Sequence, residues 1–206
     1  MSLRKAYLIV ILVLIIDQLS KIYIKTHFLL NEKVEVLSWF KIYFIENEGM
    51  AWGAELPAWL GGKLTLTLFR ILAVGAIGWW LHDSVKKHLS PYLIVAIALI
   101  MSGAFGNIID SVFYGVIFNE SGPVHYQGAQ TATLFAENPY GKWFQGRVVD
   151  MLYFPIITDA TWPSWVPFVG GQQFSFFNAI FNIADTAISI GVGILIVFNK
   201  KAFAKS

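Results

Sequence analysis

Two aspartates in this sequence are candidates for hydrolytic chemistry. Asp185 lies in "FNIADTAIS" (181–189), inside an apolar stretch that continues to 198 and ends at Asn199, Lys200 and Lys201. Asn182 precedes it by three residues. Asp150 stands in "GRVVDMLYF" (146–154). The chain has no cysteine, and His27, His82, His88 and His125 are scattered without ligand spacing. That excludes a thiol nucleophile and a thiolate zinc site, and no metal or other cofactor is expected. What remains is carboxylate chemistry. Two aspartates about 3 Å apart share one proton. The ionised member takes a proton from water as the water attacks a carbonyl, and the protonated member donates to the carbonyl oxygen. The titration then belongs to the pair. Spacing alone does not bring positions 150 and 185 together.

The elements that must position these residues are membrane spans. Of the 206 residues, 56% are hydrophobic and only 14% are charged, against about a quarter charged in soluble domains. A net charge of +2 gives no case for nucleic acid. A span needs about 20 mostly apolar residues. Four stretches qualify, at roughly 7–24, 64–81, 92–112 and 176–198. The N-terminal stretch resembles a secretory leader, but no small-x-small cleavage site follows and Asp17 and Lys21 interrupt it. It is expected to be a retained anchor helix.

Lys and Arg fix the orientation. Arg4 and Lys5 precede the first span, Lys86 and Lys87 separate the second from the third, and Lys200, Lys201 and Lys205 follow the fourth. With four spans all three groups share one side, so both termini are expected in the cytoplasm. The two outer segments, 25–63 and 113–175, carry no positive excess and are rich in aromatics. The first contains a strand-like run, 33–46, followed by the turn signal Asn47-Glu48-Gly49. Without repeats or low-complexity tracts, residues 1–206 read as one domain.

In this orientation the polar residues of the spans converge toward the outer leaflet. They are Asp17 and Lys21 in the first span, Asn107 and Asp110 in the third, and Asn182 and Asp185 in the fourth. A purely structural reading covers most of them. Asp17 and Lys21, four residues apart, can neutralise each other. Asn107 and Asn182 can cross-link helices where Gly103 and Gly106 allow close approach. Asp110 can cap a helix or snorkel to the interface. Tryptophans such as Trp39, Trp143, Trp162 and Trp165 suit interface anchoring. Asp185 has no basic residue near it in sequence, and an intramembrane carboxylate is a functional hypothesis by default. A proton-coupled transporter or channel subunit would also use such residues, but it predicts polar groups along the full depth of the helices. The inner halves here, such as "AYLIVILVLI" and "GVGILIVF", are apolar. A scaffold protein would leave Asp185 without a purpose.

Five segments, in order, resemble the sequence boxes of the lipoprotein signal peptidases, or signal peptidase II. They are "DQLSK" (17–21), "NEGMAWG" (47–53), "SGAFGNIID" (102–110), "VVDMLYF" (148–154) and "FNIADTAI" (181–188). The resemblance implies a mainly α membrane protein of four transmembrane helices. It adds a small extracytoplasmic β-cradle at roughly 33–56, beside the long outer segment that the sequence places between the third and fourth helices. It implies an aspartic endopeptidase of the bacterial inner membrane that cleaves diacylglyceryl prolipoproteins just before the lipidated cysteine, and that binds the peptide antibiotic globomycin. Asp150 and Asp185 match the catalytic dyad. Asp17, Lys21, Asn47, Gly103, Asn107, Asp110, Asn182 and Ala184 match positions that bind substrate or brace the site. Two positions depart from the pattern: Ser102 stands for a glycine, and Ser111 for the arginine that follows Asp110. Arg147 is the expected loop substitute for that arginine, reaching Asp110 or the backbone at Ser111. The segment 116–145 is longer than usual for the family, which suits an enlarged lid or a partner surface.

Overall fold

The computed structural model describes residues 1–48 and 62–204. Its helices are α1 (Leu3–His27), α2 (Gly62–Lys86), α3 (Pro91–Ile109), α4 (Gly115–Ile117), α5 (Ile183–Val197) and α6 (Asn199–Ala202). A π-helical turn, Asp110–Tyr114, joins α3 to α4. The strands are β1 (Lys33–Leu37), β2 (Phe40–Asn47), β3 (Val148–Tyr153), β4 (Ile157–Thr161), β5 (Gln173–Phe176) and β6 (Ile180–Phe181).

Three helical stretches are long and apolar enough to cross a membrane: Leu3–His27, Gly62–Lys86 and Pro91–Ile117. Each contains a stretch expected from hydropathy and extends beyond it at the ends. Basic residues that favour helix C-termini lie in the last turns, Lys25 and His27 in α1 and Lys86 in α2. Pro91 opens α3, where its missing N–H costs nothing. Leu8, Ile11, Leu12, Ile15, Ile16 and Leu19 of α1 are exposed, as are Leu64, Leu68, Phe69 and Leu72 of α2. Such apolar outer faces suit lipid and not water.

The fourth helix differs from the expectation. It begins at Ile183, not near 176, and has 15 residues. At 1.5 Å per residue it is about 22 Å long. The preceding residues are strand and turn: β5 ends at Phe176, and β6 pairs antiparallel with β3 through Leu152↔Phe181 and Tyr153↔Ile180. Hydropathy does not distinguish an apolar strand from an apolar helix. The Asn182–Asp185 spacing itself marks the helix start. The Asn182 side chain accepts from the Asp185 N–H (2.9 Å), and the Asp185 carboxylate accepts from the Asn182 N–H (3.4 Å), which forms a reciprocal capping box. Asp185 therefore lies in the first turn of α5, not several turns down a longer span.

The main sheet runs β1-β2-β3-β6, all antiparallel. β1 and β2 fall within the expected cradle; residues 49–56 of that cradle, and 49–53 of the second box, lie outside the described residues. The sheet also takes in β3 and β6, so it carries Asp150 on one strand and leads directly into the Asn182 cap. A second hairpin, β4–β5, stands between them in the chain.

Two apolar clusters bracket the polar layer. One packs Ala6, Val10, Leu81, Leu93, Ile94 and Ile97 near the N-terminal ends of α1 and α3. The other packs Ile24, Phe44, Tyr114, Phe118, Val149 and Met151 at their C-terminal ends. Along α1 and α3, every polar candidate falls between the two.

Candidate active site

Close helix contact builds the floor of the site. A Cβ on Gly103 would collide with the Ala184 carbonyl oxygen, and one on Gly106 would lie 2.7 Å from Asp17 Oδ2. Glycine at both positions lets α3 approach α1 and the first turn of α5. Ala184 is fully buried, and its N–H donates to Asp17 Oδ1 at 2.9 Å.

A buried charge cluster lies against this floor. The Lys21 ammonium is 3.0 Å from Asp17 Oδ2, 2.8 Å from Asp110 Oδ2 and 2.8 Å from Asn107 Oδ1. The side chains of Asp17, Lys21 and Asp110 are all within 1% of fully buried. Gln18 Nε2 donates to Asp17 (3.0 Å) and Asp110 (2.9 Å), and Gln18 Oε1 accepts from the Tyr114 hydroxyl (3.2 Å). Lys21 thus serves two carboxylates, not the single pair that the i, i+4 spacing suggested.

Asn107 and Asn182 connect this cluster to the two candidate catalytic carboxyls. Asn107 Nδ2 donates to Asp185 Oδ1 at 2.8 Å. Asn182 Nδ2 donates to Asp150 Oδ1 at 2.7 Å and lies 3.1 Å from Asn107 Oδ1 and 3.2 Å from the Val149 carbonyl. Asn47 lies opposite Val148 across β2 and β3, on the face that Val148 shares with Asp150, and its amide donates to Asp150 Oδ2. Asp150 is 3% exposed, whereas Asp185 is half-buried. Burial first, and then the Asp185 carboxylate nearby, push the Asp150 carboxyl up to about 8. The structure thus brings Asp17, Lys21, Asn47, Gly103, Asn107, Asp110, Asp150, Asn182, Ala184 and Asp185 into one connected site.

Arg147 lies elsewhere. Its guanidinium pairs with Glu120 (2.5 Å), Glu46 (3.4 Å) and Glu48 (3.5 Å), and Asp110 takes its cation from Lys21. The loop does approach the π turn, but through glycine. The Gly146 N–H donates to the Ser111 carbonyl (2.9 Å), and a Cβ on Gly146 would collide with the Asp110 carbonyl oxygen. Ser111 is fully buried beneath it and donates to the Asn107 carbonyl (3.0 Å). An arginine at 111 has no space there. Ser102, the other departure, is also buried and donates to the Leu99 carbonyl (2.9 Å).

The structure adds residues that the sequence alone does not single out. Gln18 and Tyr114 complete the Asp110 shell. Glu46 joins Lys25 and Ser121 in a second buried polar cluster. Arg70, the one charged residue between 64 and 81, interacts electrostatically with Asp185. The rule that singles out Asp185, a charge inside an apolar span, would have found it.

A family model for signal peptidase (SPase) II matches residues 9–200. The chain belongs to the signal peptidase II family. The lipoprotein signal peptidase of Porphyromonas gingivalis is 47% identical over 192 residues, which cover 92% of this chain and 80% of that protein. The lipoprotein signal peptidase of Amoebophilus asiaticus is 34% identical over 205 residues, covering 96% and 78%. Two solved bacterial membrane enzymes share the fold. One has a TM-score of 0.62 at 24% identity and covers 99% of this chain and 93% of its own; the other scores 0.61 at 23% identity, covering 97% and 94%. Membership of signal peptidase II sets aside the transporter and channel readings.

Proposed function

We propose that this signal peptidase II removes the signal peptide from diacylglyceryl-modified prolipoproteins with Asp150 and Asp185 as its catalytic dyad. One observation carries the reading: Asn182 hydrogen-bonds both carboxyls, one from strand β3 and one from the first turn of α5. In the resting site Asp150, held neutral by burial, carries the shared proton. Asp185, at the positive end of a helix dipole and more accessible, carries the charge. Asp185 takes a proton from water as the water oxygen bonds to the scissile carbonyl carbon. Asp150 gives its proton to the carbonyl oxygen. Collapse of the tetrahedral intermediate breaks the C–N bond: the proton taken up by Asp185 passes to the leaving amine, and a hydroxyl proton of the intermediate returns to Asp150 as the carbonyl re-forms. Asn107 and Asn182 keep both carboxyls oriented throughout.

The same reading sets the topology. The chain is one domain, 1–206, in the bacterial inner membrane. α5 completes four spans, both termini face the cytoplasm, and the site faces the outer leaflet. Such a site meets a bond near the membrane surface, as in a substrate held by its own lipid chains and signal helix. Globomycin should occupy it.

The test is cleavage in vitro by purified enzyme, with product masses read by mass spectrometry. A diacylglyceryl prolipoprotein should be cut once, just before the lipidated cysteine, and globomycin should block the cut. Equal cleavage of the unlipidated precursor, or a cut elsewhere, would count against the assignment.

A further inference from the structure

A cation inside an apolar helix is costly and is retained for a purpose. Arg70 of α2 is such a group. Lys63, Thr67, Arg70 and Val74 follow at spacings of four, three and four, so they form one stripe along the helix. The stripe is bounded at both ends by contacts to site-bearing elements. Above, Lys63 pairs with Glu48 (2.5 Å) and lies 3.4 Å from the Gln145 carbonyl, one residue before Gly146. Thr67 is 1% exposed. Below, Val74 packs with Ile108 and Val112, on either side of the start of the π turn. Arg70 therefore lies between these two contacts on the stripe of α2 that meets α3, within electrostatic reach of Asp185, to which Asn107 donates.

Charge balance calls for a cation at this point. Asp185 has the Asp150 carboxyl of β3 beside it, and Asn107 links it to the group of Asp17, Lys21 and Asp110 from α1 and the π turn. Lys21, the cation of that group, already serves both Asp17 and Asp110. The arginine that the family resemblance places at 111 is a buried serine here.

We propose that Arg70 is a positioning residue that holds the dyad's negative charge on Asp185, so that the shared proton remains on Asp150. The cation absent from the end of α3 is thus supplied from α2. This inference rests on the dyad reading above.

The test is the pH dependence of kcat/KM for cleavage of a diacylglyceryl prolipoprotein by full-length enzyme in nanodiscs. Without Arg70 the dyad keeps its first proton to higher pH, so the singly protonated form appears later. Arg70→Gln should move the acid limb of the profile upward by about one pH unit and lower kcat/KM on that limb roughly tenfold, as expected when a neighbouring opposite charge is removed. Arg70→Lys should keep the limb near its wild-type position. Arg70→Leu, which is easier to insert into a bilayer, should move the limb as Gln does and serves if the Gln variant does not fold. An unmoved limb in the neutral variants, or an equal loss at every pH in all three, would overturn the proposal. Full activity of Asp185→Asn would instead overturn the dyad reading, whatever the Arg70 variants do.

Discussion

The Lys21 ammonium stands 2.8 Å from the Asp110 carboxylate, with both side chains fully buried. The two residues come from different helices, so the contact ties α1 to the π turn. Asp17 completes the group at 3.0 Å. Lys21→Met leaves two buried carboxylates without a cation and should cost about 3–5 kcal/mol. A loss of that size is readable as a large drop in thermal midpoint in detergent.

An isolated i, i+4 pair would regain stability if Asp17 and Lys21 were replaced together by apolar residues. Here the double variant should stay destabilised, because Asp110 would keep no cation and the Ala184 N–H would lose its acceptor. Recovery of the wild-type midpoint would show that Asp110 does not need Lys21.

Helix approach sets the next expectation. Gly103→Ala pushes a methyl group into the Ala184 carbonyl and should cost about 1–3 kcal/mol by overpacking. Activity should fall with it, since Ala184 lies between Asn182 and Asp185. Gly193, on helix α5, has open space where a side chain would begin, with nothing within 4 Å of an added Cβ. Gly193→Ala should be neutral or gain up to about 1 kcal/mol of helix propensity. Paired thermal melts of the two variants separate the cases.

The segment between α4 and β3 is held by its own charge cluster. Lys25, 1% exposed, pairs with Glu46, and Ser121 completes its shell at 2.9 Å. Glu46→Gln removes the countercharge of a buried ammonium and should be strongly destabilising, by about 3–5 kcal/mol. Arg147→Ala should cost about 1 kcal/mol or less, because that side chain is a third exposed. Equal losses in the two variants would contradict this division.

Much of the site was legible because charge is expensive in apolar surroundings. Type and position mark Asp17, Lys21, Asn107, Asp110, Asn182 and Asp185, and the structure joins them. The partner of Asp110 was not legible, because i, i+4 spacing reports only contacts within one helix. Lys21 reaches Asp110 across helices through tertiary packing. Hydropathy makes the fourth helix too long because the aromatic run before Asn182 is as hydrophobic as a span. The role of that run as strand depends on pairing with β3, a contact distant in sequence. Nearness to Asp150 in the chain suggests Arg147 as a site residue, but three glutamates compete for it, and one of them, Glu120, comes from the long segment between α4 and β3.

Asp150 gives the pH expectation. Its carboxyl is pushed up to about 8, well above the ordinary aspartate value, so the folded state holds its proton more tightly than the unfolded chain does. Its stability contribution is therefore fully present below the unfolded value, near 4, and is lost as pH rises toward about 8. Asp150→Asn removes this dependence. Its thermal midpoint should gain on wild type between about pH 5 and pH 8. Cleavage by wild type should decline above about pH 8 as the acid is lost. A wild-type rate that stays flat through pH 9 would mean that Asp150 is not the proton donor.

In the proposed mechanism, peptide hydrolysis runs on a shared-proton pair of aspartates. The most direct measurement is the single-turnover cleavage rate of a diacylglyceryl prolipoprotein by wild type, Asp150→Asn and Asp185→Asn, each confirmed as folded by its thermal melt. Both variants should lose on the order of 10³-fold or more, because residues acting as one unit fail together. A folded variant of either kind that cleaves within about tenfold of wild type would remove that carboxyl from the chemistry and contradict the account.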